Sequence, residues 1–170
     1  MTTAAELLAD AFGRIREDVT SAVEGLDEAT LARRPDGADG PGNSIAWTVW
    51  HLSRVQDDHL AEAFGTEQVW PTGWAARFGL PFTDDATGYG HTSTEVDAVR
   101  VEGVLLIQYH DAVTEQTLRL LDGVTDDELD RILPPTWGEG VSLGARLVSV
   151  VGDDMQHIGQ AAYLRGLFGA

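Results

Sequence analysis

The chain contains no cysteine and no lysine among its 170 residues; all 11 basic residues are arginine. The missing cysteine removes disulfides, thiolate metal ligands and a protein thiol nucleophile together. Any sulfur chemistry must therefore use a thiol brought in from solution. The missing lysine removes Schiff-base catalysis and lysine-based phosphate loops. Basic charge is scarce as well: the formal net charge is -17 and the sequence pI is about 4.3. Nucleic acid and anionic membranes need a basic footprint, so neither is expected as a partner. No apolar run approaches the length of a membrane span, and the N-terminal residues have neither a basic nor an apolar signal region. A cytoplasmic location is expected.

What remains for chemistry is His, Asp, Glu, Tyr and Arg. The length fits one domain over residues 1–170, with a core large enough to fold without a structural metal. A bound metal would then serve chemistry rather than scaffolding.

The pattern is helical throughout. Thr3-x-x-Glu6 is a capping box, followed by Leu7, Leu8, Phe12, Ile15, Val19, Val23 and Leu26 at helical spacing. A short turn is expected within Asp27 to Arg34, stopped by Pro35, and the Gly-rich stretch at 36–43 ends at a cap, Ser44. A second helix should run to Phe64, with Trp47, Trp50, Leu52, Val55 and Leu60 wider than one stripe, as for a helix packed on two sides. The segment from Gly65 to Ser93 lacks sustained periodicity; connections this long usually serve function. A third helix is expected from Glu95 or Glu102 to Leu121, capped by Ser93 or Thr94, then a capping box at Thr125-x-x-Glu128 and a last helix from Ser142 to Leu167. Four long helices without a strand or repeat predict an all-α fold, an antiparallel four-helix bundle with a long crossover between its second and third long helices.

Within the last helix, Asp153 and His157 stand four residues apart. That spacing advances an α-helix by about 40° and roughly 6 Å, so both side chains can converge on one point. An acid four residues before a His is also an ordinary surface ion pair. The apolar residues Leu147, Val148, Val150, Val151, Ala161, Ala162 and Leu164 around the pair favour the inward reading, since a desolvated carboxylate needs a partner or a cation. Asp154 faces about 100° away from Asp153 and is expected to support the site or be solvated. His51, between Trp50 and Leu52, is the best third ligand, although a lone His on an apolar face is more often a hydrogen-bonded core residue.

The segments GNSIAWTVWHL and DDMQHIGQAAYLRG resemble the first and last metal-site helices of the DinB/YfiT-like superfamily, whose last helix usually reads H-x-x-x-H-x-G-Q. The resemblance spans essentially the whole chain and is nearest to actinobacterial mycothiol transferases. It implies a four-helix bundle holding a divalent metal on His51, Asp153 and His157. Asp153 departs from the commoner His, as does the Glu of the mycothiol-dependent maleylpyruvate isomerase. Two His and one carboxylate suit catalytic zinc with an open position, and also iron, nickel or manganese.

The function expected is a metal-dependent transfer of a small-molecule thiol, with mycothiol implied by the resemblance, to an electrophile. A hydrolase or isomerase on the same site is one alternative, and a non-enzymatic metal-binding interaction protein is another. Arg54 and Arg165, nearest in sequence to the two halves of the site, are candidates for cofactor binding. Asp58 is expected to be a packing partner or a pocket-wall residue, His91 an exposed loop residue unless it leans over the site, and His110 a partly exposed structural residue. Trp70, Trp74 and Phe78 either line an apolar pocket or pack the loop. A homodimer is expected from the bundle's helix faces.

Overall fold

In the computed structural model, which describes residues 2–38, 40–135 and 138–170, three of the four long helices begin at a side-chain cap that the sequence supplies. Thr3 and Glu6 form the expected capping box of α1 (Ala4–Val23), and the Asp27 side chain caps α2 (Glu28–Leu31). Asp39, in the Gly-rich turn, lies outside the described residues. Ser44 caps α3 (Ile45–Phe64), which Gly65 ends in the left-handed conformation. The crossover contains a 3-10 turn at Trp70–Thr72 and α4 (Trp74–Phe78).

The third helical segment divides in two. Thr92, not Ser93 or Thr94, forms a capping box with Glu95 and opens α5 (Ser93–Ala98); the chain then breaks before α6 (Gly103–Leu121). At Gly103 a Cβ would lie 2.8 Å from the Val23 side chain, so α6 begins where a glycine lets it approach the end of α1. The Thr125 box opens α7 (Asp126–Leu129), and Ser142 caps α8 (Leu143–Phe168). Among the described residues there is no strand, only an isolated bridge between Ile132 and Ser142, and no helix is long and apolar enough to cross a membrane.

The four long helices form the expected bundle. Its α3 packs mainly on α8 and its α1 mainly on α6. Paired contacts fix the directions. Ser53 meets His110 and Gln56 meets Thr117, so α3 and α6 run the same way. Arg16 meets Asp111 while Val23 meets Gly103, so α1 and α6 oppose. Two helices in succession that point the same way require a connection that travels the bundle's length, which is what the crossover does. From Ser44 to Asp57 every residue is buried. The second long helix is therefore covered on all sides, not on two, as far as Asp57, where the crossover lies over it; beyond that Glu62 is exposed.

Candidate metal centre

Two long helices bring the expected ligands together. His51 from α3 and Asp153 and His157 from α8 each offer one ligand atom, and these atoms lie within 4.8 Å of one another. Atoms bound to one zinc-sized ion at ~2.0–2.2 Å are separated by at most ~4.4 Å, so small side-chain rotations complete the set. The two imidazoles meet edge to face, with centroids 4.7 Å apart. Asp153 Oδ1 lies 3.7 Å from His157 Nε2, beyond hydrogen-bond length, and Asp153 Oδ2 is buried without a hydrogen-bond partner. A buried, unpartnered carboxylate oxygen beside two imidazoles is the donor chemistry that fits a divalent cation.

Each imidazole is oriented through its other nitrogen. His51 Nδ1 faces the carbonyl oxygen of Thr87 at 2.5 Å. A carbonyl only accepts, so Nδ1 carries the proton and Nε2 keeps its lone pair for the site. His157 Nδ1 faces Gln160 Oε1 at 3.3 Å, while its Nε2 faces Asp153. Both imidazoles thus have an outer contact of the kind that metal-binding His side chains use. Burial lowers the pKa of His51, and the neighbouring His157 pushes the same way against the Thr87 bond. His51 is therefore neutral at pH 7, the form that can bind a metal. Its ring stacks on Trp47 with centroids 4.7 Å apart and planes at 16°.

Asp154 is not solvated. It is fully buried, neither of its carboxyl oxygens has a hydrogen-bond partner, and burial followed by the charge of Asp153 raises its pKa far above the usual carboxylate range. The cause is the phase of α8, whose buried stripe runs through Leu143, Leu147, Val150, Asp154, Ile158, Ala161 and Leu164. Asp153 sits beside that stripe, turned toward α3.

Both arginines are engaged by other protein groups. Arg54 is completely buried; its Nε donates to Ala86 O, Nη2 to Asp84 O, and Nη1 to Gln68, Tyr109 and Asp57, with Trp70 beneath it at 4.9 Å. A guanidinium so engaged has no face for a ligand. Arg165 Nη1 donates to the Ser21 and Glu24 carbonyls at the C-terminal end of α1, eight residues and roughly 12 Å along α8 from His157.

The other polar residues fall into place around this frame. Asp58 accepts from Gln68, the packing role expected of it. Asp57, which the sequence did not single out, is the buried one and accepts from the Val69 and Trp70 amides and the Tyr109 hydroxyl. His91 is half-buried rather than exposed: Trp47 Nε1 donates to its Nδ1 at 3.2 Å, and Trp50 and Phe82 pack against its ring. His110 is 1% exposed, not partly so, and is bonded to Ser53; burial lowers its pKa to about 4. Trp70, Trp74 and Phe78 pack on Tyr109, which settles them as loop packing. Thr87, Gly88 and Gln160 support the ligands without any sequence signal at the first two; the H-x-G-Q pattern marks the third.

Comparison with known proteins agrees with this architecture. Residues 11–161 match the DinB superfamily. The crystal structure of a conserved protein from Enterococcus faecalis is 26% identical, with all of both chains covered and a TM-score of 0.88. A comparison with curated proteins finds no match.

Proposed function

The chain belongs to the DinB superfamily, and from that premise we propose that it is a metal-dependent transferase that joins a low-molecular-weight thiol to an electrophilic small molecule. The observation that carries this reading is the convergence of His51, Asp153 and His157 where the last two keep 39% and 19% of their side chains exposed, so that a small molecule can reach the cluster. Two His and one carboxylate would hold zinc with a position to spare, and nickel, manganese or iron accept the same donors. A cation held there supplies Lewis acidity, which favours deprotonation of a thiol whose pKa is otherwise ~8.5.

The chain's own residues do the rest. Neutral His51 keeps its Nε2 lone pair available, His157 turns its Nε2 toward Asp153, Asp153 would offset one of the cation's two charges, and Trp47 walls one side with an apolar ring. The thiol proton passes to solvent, the sulfur pair forms the S–C bond, and the displaced group leaves with its bonding electrons. With an activated double bond, a proton from solvent completes the carbon instead. Since the chain has no cysteine, the sulfur belongs to a cosubstrate. The likeness of its two metal-site helices to mycothiol transferases makes mycothiol the first thiol to test. A homodimer belongs to the same reading, with Val148, Met155, Tyr163 and Leu167 exposed on α8 as its face.

The test is thiol loss against monobromobimane with zinc-loaded protein and mycothiol, corrected for the uncatalysed rate. Catalysis that disappears in His157→Ala and on chelation supports the reading. Metal-dependent turnover of an ester or a cis alkene that consumes no thiol overturns it.

A further inference from the structure

The crossover lies on α3 through its backbone, and the contact is concentrated at one ligand. Arg54 stands one helical turn beyond His51 and grips the carbonyls of Asp84 and Ala86 at 3.2 and 3.1 Å. The next carbonyl, that of Thr87, meets His51 Nδ1. Two side chains of one helix face thus bind three carbonyls of one short strap. Arg54 is itself held by Gln68 and Tyr109, and Asp57, its acidic partner, is tied to the Val69 and Trp70 amides.

Gly88 completes the strap. Its φ is +100°, in the region that favours glycine, and a Cβ there would stand 2.8 Å from His51 Nδ1, 3.0 Å from Trp50 and 3.1 Å from Trp47. A side chain would therefore lift the strap off the imidazole itself. The arrangement also prevents the ring from turning over, because Trp47 is stacked on it and the reversed ring would place a carbon against the Thr87 oxygen.

We propose that Arg54 and Gly88 are positioning residues that select the Nδ1–H tautomer of His51, so that Nε2 is the atom presented to a cation. The step from tautomer to cation rests on the metal-site reading; the selection of the tautomer does not. A guanidinium suits this task because its fixed fork reaches two carbonyls at once, which an ammonium cannot do with the same geometry.

Long-range 1H–15N NMR spectra of the 15N-histidine protein, without metal at pH 7.5, read the tautomer directly. His51, assigned with His51→Gln, is expected as a single Nδ1–H species in the wild type and as a mixture of tautomers in Gly88→Ala and Arg54→Lys. Competition against a chromophoric chelator is expected to show zinc affinity falling ~10–100-fold in both variants, the cost of losing an outer hydrogen bond. If Arg54→Lys fails to fold by circular dichroism, Gly88→Ala carries the test alone. A wild-type His51 that is Nε2–H or mixed overturns the proposal, as does a Gly88→Ala protein with wild-type spectrum and affinity. A protein that binds no zinc but shows the expected tautomer change overturns the metal reading and supports the strap as a device that positions His51.

Discussion

Gln160 Oε1 stands 3.3 Å from His157 Nδ1, one turn further along α8. The Gln of the H-x-G-Q pattern therefore plays for His157 the part that the Thr87 carbonyl plays for His51. Gln160→Leu removes the acceptor and keeps the helix. Zinc affinity measured by chelator competition should fall ~10–100-fold while the melting temperature of the metal-free protein stays close to wild type.

Asp153 supplies the one carboxylate of the three-residue cluster. Asp153→Ala should lower zinc affinity by more than ~100-fold, beyond the cost of an outer hydrogen bond. Asp153→His restores the commoner pattern of the superfamily and should still bind one cation per chain by metal analysis, now without the carboxylate's charge. Equal affinity in wild type and Asp153→Ala would remove the carboxylate from the ligand set.

Asp154 is held neutral by burial and lacks hydrogen-bond partners at both oxygens. Its folded pKa is raised above the unfolded value, so the stability it contributes is complete below pH ~3.8 and is lost as pH rises toward the folded pKa. In metal-free protein, Asp154→Asn should therefore be the more stable form at pH 7, by ~1–3 kcal/mol. That advantage should shrink at pH 4, and urea titrations at the two pH values measure the difference.

His110 works in the opposite direction. The unfolded chain takes up its proton near pH 6.5, whereas the folded chain resists until about 4. The folded state is penalised as pH falls through that window, by ~3 kcal/mol in full. The stability of the wild type relative to His110→Gln should drop by about that amount between pH 7 and pH 4, since the other titrating groups cancel in the comparison.

Arg165 bonds the carbonyls of Ser21 and Glu24, closing the end of α1 against α8. Arg165→Met should cost ~1–3 kcal/mol of stability in urea and leave the KM for the thiol unchanged. A rise in KM with stability intact would restore this arginine to the ligand site.

Much of the bundle is legible in local signals. Thr3 with Glu6, Ser44, Thr125 with Glu128, and Ser142 each cap the helix that the sequence assigns to them, because a cap is decided within four residues. The i, i+4 spacing of Asp153 and His157 and the apolar setting of His51 were likewise readable. Arg54 was not: its partners at Asp84 and Ala86 lie about 30 residues away, and an arginine in a helix defaults to the surface. The burial of Asp154 follows from the apolar stripe from Val150 to Ile158, which passes through it. The phase of the apolar residues along the helix, not their abundance, marks it as buried. The Thr87 carbonyl belongs to the backbone, which no side-chain pattern marks.

His157 follows His51 by 157 − 51 = 106 residues. At ~5–20 residues per second on the ribosome, roughly 5 to 20 s separate their synthesis. During that interval the nascent chain holds His51 and its backbone strap but neither of the donors on α8. A cation that needs all three side chains would therefore be taken up only after α8 has docked.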